Sequence, residues 1–202
     1  MALADLLDVF ASNEPVPGGG SAAALAGSLG VSLLIMVAGL PKTRTGAPEE
    51  AADLSEASAR LRPLRDVLLS LVDEDSAAYG AVLDAMRLPK DVGDGEAARK
   101  AAIGAAMRRA TEVPLETMRC CQQALRGSIV VARGGYANAR TDTATAVELL
   151  RAAVRSAAAN VDVNVGSLAD IELAERIVAE RRELAADAEA DTRRALEDLG
   201  RA

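Results

Sequence analysis

Asp75 stands where a core residue is expected. From Leu64 onward, side chains suited to a buried helix face recur at alternating steps of four and three: Leu64, Leu68, Leu71, Asp75, Ala78, Val82 and Ala85. A carboxylate in such a seam loses hydration, and groups of that kind are candidates for proton transfer. The competing expectation is a structural ion pair with an arginine of another helix, Arg108 or Arg109. Asp73, two residues away, faces elsewhere and is expected in solvent.

A second polar feature precedes a greasy segment. In PVPGGGSAAALAGSLG, Gly18, Gly19 and Gly20 bare their amides at the mouth of a helix, an arrangement suited to a carboxylate, a phosphate or the polar edge of a heterocycle. It is no Walker motif, because the Lys that should follow the last Gly is missing. If this helix and the next form a hairpin, residue 20 lies beside residue 67 and Asp75 about 12 Å further along. The Pro15–Gly20 loop passes that point.

A third constellation is GGYANARTD, Gly134 to Asp142, opening a later helix. Asp142 and Asn160 point the same way from that helix but lie about 27 Å apart along its axis, too far to share one site. Asn160 and Asn164, one turn apart, are expected to bond between helices or cap. The sharper alternative is that the two ends of the helix line different pockets, one shared with a second subunit. Lys90 lies about 22 Å beyond Asp75 on a straight helix, so it reaches the same reaction only through a bend or across a dimer.

Composition removes several classes of function. The formal net charge is -7, and Phe10, Tyr79 and Tyr136 are the only aromatics, which argues against a nucleic-acid partner. With no histidine in the chain, proton transfer falls to Asp, Glu, Lys or Tyr. Cys120 and Cys121 are adjacent, match no zinc spacing and are read as small buried thiols. The N-terminal stretch lacks the basic flank of a signal peptide, so the expected compartment is the cytoplasm. Ser21 to Leu40 is uncharged and long enough to span a bilayer, but its Ser, Gly and Ala content reads better as a helix buried on all sides at the centre of a bundle. No membrane partner is expected.

These residues need an all-α scaffold, since no strand-like alternation occurs and helical spacing recurs throughout. Helices are expected at 2–12, 20–40, 47–87, 95–111, 114–132, 137–165 and 167–200, a single-domain bundle of six or seven around the Ala-rich helix. Breaks fall at Pro15/Pro17, Pro41, Pro89, Pro114, Gly134-Gly135 and Gly166. Pro63 either bends the third helix or starts a new one. Val92-Gly93-Asp94-Gly95 reads as a flexible surface loop, and the last helix as a solvated one that closes the bundle.

Together, PGGGSAAALAGSLG, LVDEDSAAYGAVLDAMRLPK, RRATEVP, NARTD and NVDVN resemble the cyclodeaminase domain of formiminotransferase-cyclodeaminase, whose free-standing bacterial relatives include methenyltetrahydrofolate cyclohydrolases. The resemblance runs from about Pro15 to Asn164. It implies an all-helical homodimer acting on the one-carbon unit of tetrahydrofolate, with no metal and no cofactor beyond that substrate. The implied reaction is cyclodeamination of 5-formiminotetrahydrofolate to 5,10-methenyltetrahydrofolate and ammonia, the alternatives being hydrolysis of the methenyl compound to 10-formyltetrahydrofolate or folate binding without turnover. The family's catalytic aspartate falls on Asp75, a general acid/base.

By the same resemblance Gly18, Gly19, Gly20 and Ser21 hold the folate. Tyr79, Asn138, Arg140 and Asp142 add contacts, and Lys90 or Lys42 meets the glutamate tail. No formiminotransferase domain precedes these residues, so a formimino substrate is expected from a separate formiminotransferase. The chain departs from the family in Pro41-Lys42-Thr43-Arg44-Thr45-Gly46, where only Arg44 keeps step, and in Tyr136, where many relatives carry Asn.

Overall fold

The computed structural model of the chain describes residues 2–89 and 94–200. Among them are six α-helices: α1 (Leu3–Phe10), α2 (Gly19–Ala38), α3 (Pro48–Arg87), α4 (Asp94–Gly134), α5 (Arg140–Val165) and α6 (Ile171–Gly200). A single 3-10 turn, Ala137–Ala139, leads into α5, and no strand forms among the described residues. The expected all-α class therefore holds. α3 starts as its sequence predicts, with Pro48 in the first turn and Glu49 and Glu50 near the positive end of the helix dipole.

α2 is packed against α3, α4 and α5, and Val31 and Leu34 are fully buried there with Leu68, Met118, Leu125 and Leu150 of its neighbours. It is long and apolar enough to cross a membrane, yet here it serves as the core helix of a bundle. Its small residues set the spacing. A Cβ on Gly27 would lie 2.7 Å from Sγ of Cys121, closer than real atoms approach, so α4 packs against bare backbone. Cys120 and Cys121 are both buried thiols, as the sequence suggests.

The fourth side of α2 is open, so the helix is not buried on all sides as expected, because α3, α4 and α5 cover only three of its faces. Ala22, Leu29 and Met36 are exposed and Leu25, Ala26 and Leu33 half-buried, an uncharged stripe at helical spacing. α1 is likewise uncovered: none of its residues is buried, although Leu3, Leu6, Leu7 and Phe10 follow the same spacing.

One break expected at a proline is absent. α4 runs unbroken through Pro114, where two helices were expected. Proline lacks the N–H that would bond the carbonyl four residues earlier, that of Ala110. Asn164 of α5 fills the gap, its Nδ2 donating to the Ala110 carbonyl at 2.8 Å. Of the two alternatives for Pro63, no new helix starts there: α3 continues through it, and the residue whose carbonyl loses its donor, Ala59, is exposed, where water can serve it. Asp94 and Gly95 open α4 instead of forming a loop, while Val92 and Gly93 lie outside the described residues.

α6 closes the bundle over α4 and α5. Arg119 forks onto Glu180 at 2.6 and 2.8 Å, and that hydrogen bond holds the Glu180 carboxyl below the usual carboxylate range. Arg133 donates to Asp198 at 2.7 Å and Arg151 to Glu189 at 3.1 Å, fixing the remaining turns.

Candidate active site

The N-terminus of α2 is bare. Gly18 at the N-cap has no side chain to cap with, and the first bond inside the helix runs from the Ala22 amide to the Gly18 carbonyl at 3.0 Å. The amides of Gly19, Gly20 and Ser21 precede that bond and have no carbonyl within the helix to receive them. Glycine is required here for a spatial reason. A Cβ on Gly20 would sit 2.1 Å from Oδ1 of Asp75, so the carboxylate rests directly on the Gly20 backbone.

Asp75 thus reaches the glycine turn without the expected 12 Å offset. Gly20 faces Asp75, Gly27 faces Leu68, and the Ser28 hydroxyl donates to the Arg65 carbonyl, which sets an antiparallel register eight residues beyond the simple hairpin. The shift comes from the connection between the helices. Residues 39–47 fold back along Gly134 and Gly135, with the Arg44 amide donating to the Gly134 carbonyl at 2.8 Å, so the first turns of α3 overhang the end of α2.

Ser21, fully buried, donates its hydroxyl to Oδ2 of Asp75 at 2.9 Å and shares a 3.1 Å hydrogen bond with the hydroxyl of Ser76. The Ser21 hydroxyl is therefore engaged with the carboxylate and with Ser76, and what Ser21 offers at the helix end is its backbone amide. Asp75 itself is half-buried. The arginines weighed as its partners are engaged elsewhere, Arg108 with Glu112 and Arg109 with Glu74. Tyr79 follows one turn along α3 and is exposed.

α5 covers the other flank. The Ser156 hydroxyl lies 3.4 Å from the Gly19 carbonyl that accepts from it, and Asn160 Nδ2 donates to the Ser156 carbonyl at 2.9 Å. That nitrogen lies 3.8 Å from where a Gly19 Cβ would be. Consecutive glycines therefore touch different partners: Gly19 the Asn160 carboxamide, Gly20 the Asp75 carboxylate. The result is a polar notch with free amides at its base, a carboxylate on one wall and a carboxamide on the other. It can hold a polar ring edge and move a proton.

The remaining expected contacts lie at the opposite end of the molecule. α2 and α5 are antiparallel, with Gly19 beside Asn160 and Gly30 against Ala146, so the start of α5 adjoins the end of α2, about 27 Å from Gly20. There Lys42 Nζ stands 5.6 Å from the centre of the Tyr136 ring, and Asn138 donates to the Tyr136 hydroxyl at 2.9 Å. Thr43 donates to Glu50 at 2.6 Å, and this bond holds the Glu50 carboxyl below its ordinary value. Arg140 is exposed and Asp142 half-buried at the same end. One chain therefore does not bring Lys42, Asn138, Arg140 and Asp142 to Asp75, as a single substrate site would require. Lys90 lies outside the described residues.

Ser76 and Ser156 were not singled out in the sequence, although each sits beside a residue that was. The readable signals were the serine adjoining Asp75 in VDEDSAAYG and the Ser156-to-Asn160 spacing of one turn.

An all-helical bundle with a carboxylate at the bare N-terminus of its central helix is the class these features define. Residues 2–183 match the family model described as formiminotransferase-cyclodeaminase. The chain is 38% identical over 193 residues to methenyltetrahydrofolate cyclohydrolase of Methylorubrum extorquens, covering 96% of this chain and 93% of that one. It is 31% identical over 155 residues to formimidoyltransferase-cyclodeaminase of Gallus gallus, 76% of this chain but 28% of that longer protein. The solved structure of formiminotetrahydrofolate cyclodeaminase from Thermotoga maritima superposes with a TM-score of 0.87 at 22% identity, over 99% of this chain and 96% of that one, a likeness of fold. The chain belongs to the formiminotransferase-cyclodeaminase family.

Proposed function

We propose that the chain is a 5,10-methenyltetrahydrofolate cyclohydrolase with Asp75 as its general base and acid. The observation that carries the reading is the Asp75 carboxylate held against Gly20 at the open end of α2. The likeness to a cyclohydrolase along nearly the whole of both chains supports it. The methenyl carbon lies between two nitrogens and carries the positive charge of an amidinium. Water attacks that carbon while its proton passes to Asp75, leaving a tetrahedral carbon that bears a hydroxyl. The bond to N5 then breaks and N5 takes the proton from Asp75. The hydroxyl proton leaves to solvent as the carbonyl of 10-formyltetrahydrofolate forms. One water is consumed and one proton released.

Cyclodeamination is the second reading, favoured by the description of the matching family model. There N10 attacks the protonated formimino carbon and gives up its proton to Asp75, which passes it to the amino group, so that ammonia leaves and the methenyl cation forms. A separate formiminotransferase supplies that substrate. Either reaction is assigned to the cytoplasm.

The working unit in this reading is a homodimer closed through the open stripe of α2. A two-fold axis near Leu29, midway along the helix, runs the two copies of α2 antiparallel. The Gly20 end of one subunit then meets the Ala38 end of the other. Lys42, Asn138, Arg140 and Asp142 reach a folate held at Asp75 only from the partner, which reconciles their separation within one chain.

The test follows near-ultraviolet absorbance of the methenyl chromophore. Faster loss of 5,10-methenyltetrahydrofolate with the protein than in buffer, abolished by Asp75→Asn, is the expected result. Appearance of the chromophore from 5-formiminotetrahydrofolate would assign the cyclodeaminase instead. If neither signal changes and tetrahydrofolate leaves the melting temperature unmoved, the folate reading is wrong.

A further inference from the structure

Two asparagines one turn apart on α5 have different surroundings. Asn164 is committed to the fold, since its amide serves the carbonyl that Pro114 orphans. Asn160 is only half committed. Its Nδ2 donates to Ser156 one turn back on its own helix, which fixes the orientation of the amide group: nitrogen toward the backbone carbonyl, oxygen away from it. Oδ1 has no protein partner among the described residues, and the side chain is half-buried against Gly19. A half-buried amide with an unused acceptor, next to the glycine that adjoins the one touching Asp75, is not required by packing. Ala or Leu would satisfy a helix interface without leaving a polar atom to be matched.

We propose that Asn160 is a substrate-orienting residue whose Oδ1 accepts a hydrogen bond from an N–H group on the reduced pterin ring. The inference rests on the folate reading above and adds a residue to that site. Its logic is complementarity. The amides of Gly19 and Gly20 donate and can hold only acceptors on the ring, while Asp75 is kept for the reacting atoms. A reduced pterin edge carries N–H donors beside its acceptors, and the base of the notch has no acceptor for them. The Asn160 carboxamide stands beside Gly19 with its Nδ2 spent on Ser156, so Oδ1 is the acceptor left to supply this bond, fixing which way round the ring lies and hence which nitrogen of the one-carbon bridge faces Asp75. A site that reads an N–H also rejects compounds lacking it, because the acceptor is then left unpaired.

The test is calorimetric binding of two ligands to the full chain and to Asn160→Ala: tetrahydrofolate, and p-aminobenzoylglutamate, which is the same molecule without its pterin. The expected result is about tenfold weaker tetrahydrofolate binding by the variant. Binding of the fragment, and the melting temperature, should stay unchanged. Asn164→Ala is the structural control, expected to lower the melting temperature without changing the ratio of the two affinities. Equal weakening for both ligands, or no weakening of tetrahydrofolate, overturns the role of Asn160. If the unaltered protein binds neither ligand, the folate reading falls and this inference with it, an outcome distinct from the other two.

Discussion

The hydroxyl of Ser21 and the carboxylate of Asp75, 54 residues apart in the chain, are joined by a 2.9 Å hydrogen bond at the first turn of α2. That bond ties the carboxylate proposed as acid and base to the same helix end that offers free amides. A change in either partner should therefore be felt in turnover before it is felt in folding.

Replacing Asp75 by Asn keeps the shape and still offers an oxygen to Ser21, but removes the carboxylate proposed to carry the proton. Turnover of the methenyl substrate should fall about 10²- to 10⁴-fold. The melting temperature should move by no more than a few degrees, as read by calorimetry on the same sample.

Gly20→Ala should damage the site from the other side. The new Cβ would meet Asp75 at 2.1 Å from Oδ1 and 2.6 Å from its carboxyl carbon, so the carboxylate must swing away. Overpacking of this kind costs about 1–3 kcal/mol in unfolding titrations, and catalysis should drop with it. Gly18→Ala is the contrast: its nearest neighbour would be the Pro15 carbonyl at 3.7 Å, and both readouts should stay near those of the parent.

Asn164→Ala leaves the Ala110 carbonyl without its donor, at a cost of about 1–3 kcal/mol by denaturant unfolding. In a Pro114→Ala background, the new backbone N–H can serve the same carbonyl, and the penalty should shrink to less than half. Equal penalties in both backgrounds would show that Asn164 has no part in repairing the proline.

Burial pushes the Cys120 thiol up from 9.0 to about 12, and it raises Cys121 as well. The folded chain holds these protons at a pH where the unfolded chain has released them. Stability should therefore fall as pH rises from about 9 toward 12, because the unfolded state binds fewer protons. Denaturant midpoints at pH 8 and pH 10 check the sign. Cys120→Ala should show the smaller decline.

Leu29→Glu places a charge in the middle of the open α2 stripe, where the side chain is 53% exposed in one chain. Monomer folding should tolerate it. If the proposed dimer forms through this stripe, sedimentation should show the variant associating more weakly than the parent, with activity falling as the protein is diluted. A variant that associates as the parent does would place any interface elsewhere.

Much of this architecture was readable in residue patterns. The helices followed from periodicity, and Asp75 stood out by interrupting an apolar series; the structure puts it against Gly20 and Ser21 at the end of α2. What the pattern could not supply was register. Whether Gly20 meets residue 67 or residue 75 depends on how residues 39–47 fold back on Gly134 and Gly135, a tertiary choice with no local signature. Pro114 misled for a similar reason, since its effect on α4 is cancelled by a side chain from another helix. The scatter of Asn138, Arg140 and Asp142 away from Asp75 was implicit in the length of α5, but only the antiparallel pairing of α2 and α5 says which ends meet.

The Asn164 bond to Ala110 also bears on how such a chain can change over evolutionary time. Pro114 and Asn164 form one heritable unit, although nothing in the linear sequence connects them. A lineage that first exchanges the proline for an ordinary helix former leaves position 164 free to drift. A lineage that loses the asparagine first must pass through a weakened fold. Substitution at the two sites thus has a preferred order, proline before asparagine, and descendants holding the proline should be found holding an amide donor across from it.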